Sequence, residues 1–156
     1  MISRRRLIAG LLTLALIAGA STGAWFWLRP HVPKIDPADQ AQVAQGRAVY
    51  AAQCARCHGA NLEGQPNWRE RQANGRLPAP PHDESGHSWH HSDSVLFGIT
   101  KHGIAAYAPA GYQSDMPAFE GVLTDGEIAA VLAYIKSRWP PEVQARQARI
   151  DAQAQQ

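Results

Sequence analysis

Five consecutive residues, Cys54-Ala55-Arg56-Cys57-His58, constrain this chain more than any other feature. They contain its only two cysteines, and a histidine follows the second directly. The spacing C-x-x-C-H reads as covalent attachment of c-type haem. Thiols three positions apart suit addition to the vinyl groups on one edge of the macrocycle. His58 then stands where an imidazole nitrogen can occupy one face of the iron. Other uses of paired cysteines fit less well. A disulfide across so short a spacing closes a small strained loop with little entropic benefit. A thioredoxin-like pair requires a βαβ context, and nothing here alternates strand with helix. A zinc site requires further thiolates or well-spaced histidines, and only histidines are available later in the chain.

The 156 residues suit one small domain plus an extension. Glycine and proline number 13 and 11, so much of the chain is expected as loop. A large prosthetic group would help such a chain bury apolar surface. The formal net charge of +2 conceals a division. Four of the 15 Lys/Arg (Arg4, Arg5, Arg6 and Arg29) precede Pro30, but none of the 13 Asp/Glu does, which leaves residues 30–156 at −2. That balance argues against a nucleic-acid partner, which needs a basic face. It is compatible with docking to a basic patch on a redox protein.

Residues 7–28 carry no charge. As a helix they span about 33 Å, against a hydrocarbon core of roughly 30 Å. Arg4, Arg5 and Arg6 precede them, and Trp25, Phe26 and Trp27 sit at the far end, in the pattern of an inside-positive anchor with an interfacial aromatic belt. A transmembrane helix of the bacterial inner membrane is therefore expected, crossing once, with everything after Pro30 on the periplasmic side. The alternative is a cleaved signal peptide with Ala18-Gly19-Ala20 as its small-residue site, which leaves Trp25 to Leu28 unexplained. Ser3-Arg4-Arg5-Arg6 also has some likeness to a twin-arginine signal. All three deliver the domain to the same compartment.

The chain divides on this reading into residues 1–29, anchor or signal; 30–37, a proline-containing linker; 38–141, the folded domain; and 142–156, a polar tail expected to be solvated or frayed. Asp36-Pro37 reads as the cap and first residue of a helix over residues 37–53. Gly46 lies in its middle, where glycine costs about 1 kcal/mol relative to alanine unless another helix approaches there. Thr124-Asp125-Gly126-Glu127 is a capping box. Ile128, Val131, Leu132, Ile135 and Trp139 follow as an apolar stripe, and Pro140-Pro141 ends the helix. Between these helices, residues 59–121 are mostly loop, interrupted by a short helix over 95–102. Ser92-Asp93-Ser94 would cap it, Leu96 and Ile99 would face inward, and Gly103 would close it in the left-handed region. Loops this long in a small domain usually wrap something or carry function.

An iron held by His58 has a sixth position to fill. Only one methionine besides Met1 exists: Met116, in Ser114-Asp115-Met116-Pro117. A thioether is a soft, neutral ligand, and His/Met ligation raises the reduction potential. His82, His87, His90, His91 and His102 are the rivals for that position. Four of them, His82, His87, His90 and His91, fall within ten residues and offer a second site for copper or zinc, or a solvated surface.

From about residue 39 to 140 the chain resembles a class I c-type cytochrome. The resemblance rests on Gly46 and Tyr50, on Cys54-Ala55-Arg56-Cys57-His58, on Met116-Pro117, and on Leu132-Ala133-Tyr134-Ile135. It implies an all-α, cytochrome c-like fold wrapped around one haem, with one haem edge near the surface. It further implies that first and last helices cross at Gly46, Tyr50 and Tyr134. A backbone carbonyl in a proline loop, at Pro78 or Pro80, would receive the ligand histidine's other N–H. Residues 68–91 are longer and richer in His and Trp than a minimal member needs, and Trp68 and Trp89 would either line the pocket near the propionates or serve as core. The implied function is one-electron transfer between redox protein donors and acceptors at a membrane, with Cys54, Cys57, His58 and Met116 as the haem-binding set, and no catalysis of its own except as a subunit of an oxidoreductase. A haem sensor or enzyme subunit with an open sixth position is the alternative.

Overall fold

The computed structural model describes residues 32–156. The segment read as anchor or signal lies outside the described residues. Among those described, no helix is long and apolar enough to cross a membrane.

The first helix, α1 (Gln40–Val49), starts later than the sequence suggests. Asp39 is the cap: its carboxylate accepts from the backbone N–H groups of Ala41 and Gln42 at 3.0 and 3.1 Å. Asp36 instead closes a tight turn on Ala38 N. The helix also runs on past residue 53. A π turn (Tyr50–Cys54) follows α1 directly, with the Ala55 N–H reaching back to Tyr50 O, and leads into a single α-turn, α2 (Ala55–His58). Such one-turn π insertions hold an extra residue within an otherwise regular helix. The expected linker is not a free spacer over its described residues. The Gln42 side chain donates to Lys34 O and accepts from Asp36 N, and Ile35 is buried.

The third helix, α3 (Asp93–His102), is capped by Ser92, whose hydroxyl accepts from Val95 N. Leu96, Phe97, Gly98 and Thr100 are its buried residues, whereas Ile99 is half-buried. Gly103 ends it at φ 84°, ψ 163°, an extended conformation of positive φ rather than the left-handed helical one; only glycine enters that region readily.

Helix α4 (Asp125–Ser137) carries the capping box: Glu127 N donates to Thr124 Oγ1, and Thr124 N donates to Glu127 Oε2. Its stripe of Ile128, Val131, Leu132, Ile135 and Trp139 is at most 5% exposed, and Ala129, Ala130 and Ala133 are buried as well. The alanines let α1 cross closely. A β-carbon at Gly46 would strike the Ala130 carbonyl and crowd Tyr134 Cβ, and the rings of Tyr50 and Tyr134 meet beside that point at 5.4 Å. The glycine is thus a contact residue and not a tolerated weakness.

The expected polar tail is a fifth helix, α5 (Pro141–Ala154), with Pro140 as its cap residue and Pro141 at its first position. Its buried face is polar. Gln147 is 1% exposed and donates through Nε2 to Asp93 Oδ1 and His91 O. Asp151 accepts from Asp93 N, and Lys136 of α4 donates to both Asp93 carboxylate oxygens at 2.6 and 2.8 Å. A pair this buried is costly unless its remaining valences are filled, and α5 supplies the groups that fill them.

Gly46→Ala should destabilise the protein by about 2 kcal/mol, the overpacking cost exceeding the gain in helix propensity of about 1 kcal/mol. Denaturant unfolding of the haem-loaded chain measures it. Unchanged or raised stability would show that the α1–α4 crossing relaxes freely.

Candidate haem site

Cys54, Cys57 and His58 lie on one continuous helical run, at the end of the π turn and on α2. Cys54 is half-buried, Cys57 exposed and His58 8% exposed. Burial pushes the Cys54 thiol up to about 11, with the neighbouring Cys57 adding to the effect. Burial also lowers the His58 pKa, partly opposed by its hydrogen bond to Pro80.

The polypeptide after His58 doubles back to hold it. Tyr50 donates its hydroxyl to the carbonyls of His58 and Gly59 at 3.2 and 2.9 Å, and Gly64 N donates to His58 O at 2.8 Å. Gly64 (φ 69°) permits close approach of the Pro80–Pro81 backbone, which a β-carbon there would strike. Gln65 N then donates to Ala79 O, and Ala79 N to the Gln65 side chain. These bonds bring Pro80 O to 2.8 Å from His58 Nδ1. Of the two prolines left open by the sequence, Pro80 is the one used. A carbonyl only accepts, so Nδ1 carries the proton and Nε2 keeps its lone pair. That tautomer is the one a metal-ligating imidazole needs, with its second nitrogen oriented by an outer partner.

Met116 stands on the loop between α3 and α4, half-buried, with its N–H donating to Ser114 Oγ. The loop is tied to the end of α3 by Phe119 N to Thr100 O and Glu120 N to Lys101 O, and Phe119 is buried. Asp115, beside the methionine, pairs with Arg76. His102 is exposed and faces Glu120.

The four clustered histidines do not converge on one point. His82 stacks on His58 with ring centroids 4.0 Å apart and planes 22° apart. His87 stacks on Trp68 and meets His91 edge-on, and His90 stacks on Trp89. Burial, then the nearby His58 and His87, holds the His82 pKa well below the ordinary range. Among the described residues no group of three or more His, Cys, Asp or Glu is disposed to hold a metal. Trp89 packs against the core and donates to Glu84 O, while Trp68 is half-buried beneath Arg69. Sequence reading singled out His82 as a rival ligand or second-metal residue but not as a stacking partner of His58, and it missed Ser88, whose Oγ lies 2.8 Å from His82 Nδ1. The only local signal is the position of His82 two residues after Pro80.

The residues present fit a covalently held haem. Two unpaired thiols share a helical run with a buried imidazole of the correct tautomer, and that imidazole is oriented by a carbonyl.

Residues 43–139 match the family described as "Cytochrome c". The chain is also similar to the thiosulfate dehydrogenase of Stutzerimonas stutzeri (strain A1501), at 34% identity over 130 residues. That alignment covers 81% of this chain but 37% of the relative, so the chain spans little more than a third of that protein's length. No solved structure matches the chain.

Tyr50→Phe removes the hydroxyl from the His58 and Gly59 carbonyls. It should lower stability by about 1–2 kcal/mol, the cost of under-satisfying buried acceptors, with haem attachment retained. Urea unfolding followed at the haem band measures it. A change within error would mean that water replaces the hydroxyl.

Proposed function

The chain belongs to the cytochrome c family, whose members carry covalent c-type haem, and from that premise we propose that it is a one-electron carrier with a single haem held by Cys54 and Cys57 and ligated by His58 and Met116. When bound, the haem supplies a ferric/ferrous couple, and a thioether on its sixth position favours the ferrous state. The chain's own residues bind and orient. The observation that carries the reading is the hydrogen bond from His58 Nδ1 to Pro80 O, which leaves Nε2 as the free donor on a helix that also presents both thiols. Met116 is supported by its residue type and by a loop anchored to α3 and to Arg76. Held by both His58 and Met116, the iron would offer no open position to a substrate, and the partners are redox proteins.

We further propose that residues 7–28 anchor this domain on the periplasmic side of a bacterial inner membrane, a reading supported by Arg4, Arg5 and Arg6 before the apolar run. Tethering raises the effective concentration of the domain near membrane partners. Carbonate extraction of expressing cells should leave the haem protein in the membrane pellet at its full mass. A soluble, shortened chain would establish the cleaved signal instead.

A second reading is favoured by the thiosulfate dehydrogenase match: the chain is a haem-bearing subunit of an enzyme of that kind. Absorption spectra separate the two. The carrier gives a low-spin spectrum whose methionine–iron charge-transfer band disappears in Met116→Ala, and thiosulfate added to the oxidised protein leaves it oxidised. A high-spin wild type, or a variant with an identical spectrum, removes Met116 from the ligand set. Reduction by thiosulfate alone supports the enzyme reading.

A further inference from the structure

The imidazole stacked on His58 lies outside the haem-binding set proposed above. We infer that His82 is a positioning residue, a flat wall that fixes the rotation of the His58 ring about the axis from its Nε2 to the iron. The inference rests on the proposed role of His58 as ligand.

The geometry supports it from both sides of the pair. His58 is restrained at one atom by the 2.8 Å bond from Nδ1 to Pro80 O. Hydrogen bonds tolerate tens of degrees of misalignment before they weaken steeply, so that bond alone leaves the ring free to swing. The His82 ring lies over its face, 4.0 Å away and within 22° of parallel. A swing of His58 about its ligating axis would drive one ring into the other.

His82 is itself held by more groups than an incidental neighbour would be. Its Nδ1 lies 2.8 Å from the hydroxyl of buried Ser88. Its backbone N–H donates to Leu62 O at 2.8 Å, and its carbonyl accepts from Trp139 Nε1 at 2.7 Å. Tyr50 meets its ring edge-on at 6.4 Å. Leu62, whose carbonyl receives His82, is 1% exposed and sits at φ 70°. A bulky residue is unfavourable in that region and persists only where its surroundings over-determine it. The segment from Leu62 through Ser88 to Trp139 therefore acts as a frame for one imidazole. This also gives residues 68–91 a role at the iron: their single 3₁₀ turn (Ser88–His90) delivers the hydroxyl that orients His82.

Orientation of an axial imidazole sets how unpaired spin spreads over the macrocycle in the ferric state. The haem methyl resonances in paramagnetic NMR and the g-anisotropy in EPR report it directly. The test uses the full chain expressed with haem-attachment machinery, in wild type, His82→Phe, His82→Leu and Ser88→Ala. His82→Phe keeps a flat ring and should leave the methyl pattern close to wild type. His82→Leu fills similar volume without a plane and should shift the pattern and the g-values. Ser88→Ala, which loosens His82 without removing it, should give a smaller shift in the same sense. A simple packing role predicts instead that Leu and Phe behave alike. Superimposable spectra for wild type and His82→Leu, or equal shifts for Leu and Phe, overturn the inference. If His82→Leu fails to fold, an unshifted Ser88→Ala overturns it. A His58→Ala chain that still gives the wild-type low-spin spectrum would instead overturn the ligand reading beneath it.

Discussion

One hydrogen bond, from Nδ1 of His58 to the carbonyl of Pro80, joins the helical run that presents the thiols to the irregular stretch that follows it. Most of what surrounds it exists to hold those two groups in register. Gly64 lets the proline backbone come close, Gln65 pairs with Ala79, and Tyr50 ties down the turn after His58. The bond also fixes the chemistry. By requiring a proton on Nδ1 it leaves Nε2 as a Lewis base, so the imidazole is set as a donor to the iron. A backbone carbonyl suits this purpose because it has no protonation state of its own to vary with pH.

The second structural foundation is the crossing of α1 and α4. Alanines on one helix and a glycine on the other bring the backbones together, while the rings of Tyr50 and Tyr134 close the space beside them. Tyr50 belongs to both arrangements. Its ring packs in the helix contact and its hydroxyl serves the carbonyls of His58 and Gly59. Packing of the helices and placement of the site are thus coupled through one residue rather than through a chain of them.

Features with a local cause could be read from the sequence. The C-x-x-C-H spacing, the Thr124–Glu127 capping box and the stripe on α4 each depend on residues within a few positions, and Gly46 was legible as a close approach. Features that depend on distant partners could not. The 142–156 segment reads as solvated because its inward groups are Gln147 and Asp151, and only the position of Asp93, more than fifty residues earlier, makes them interior residues. Asp36 and Asp39 are equally good caps in isolation; Gln42, bonding to Lys34 and Asp36, decides between them. The histidines at 82, 87, 90 and 91 do not converge on one point, since His82 stacks on His58, His87 on Trp68 and His90 on Trp89, and only His87 and His91 meet.

The π turn between Val49 and Ala55 bears on which lengths of this segment can be inherited. An α-helix advances about 100° per residue, and a π insertion accommodates one residue beyond the regular count. Deleting a single residue there could restore an unbroken α-helix, a locally favourable change. Because the turn absorbs the added residue, that deletion would leave Cys54, Cys57 and His58 near their present angle to Gly46 and the α1–α4 contact. Loss of one residue is therefore tolerable within the turn, where the same loss within α1 would swing both thiols and the imidazole by about 100°. Across descendants of this chain, the spacing from Gly46 to the first cysteine should change, if at all, by the one residue that the turn absorbs.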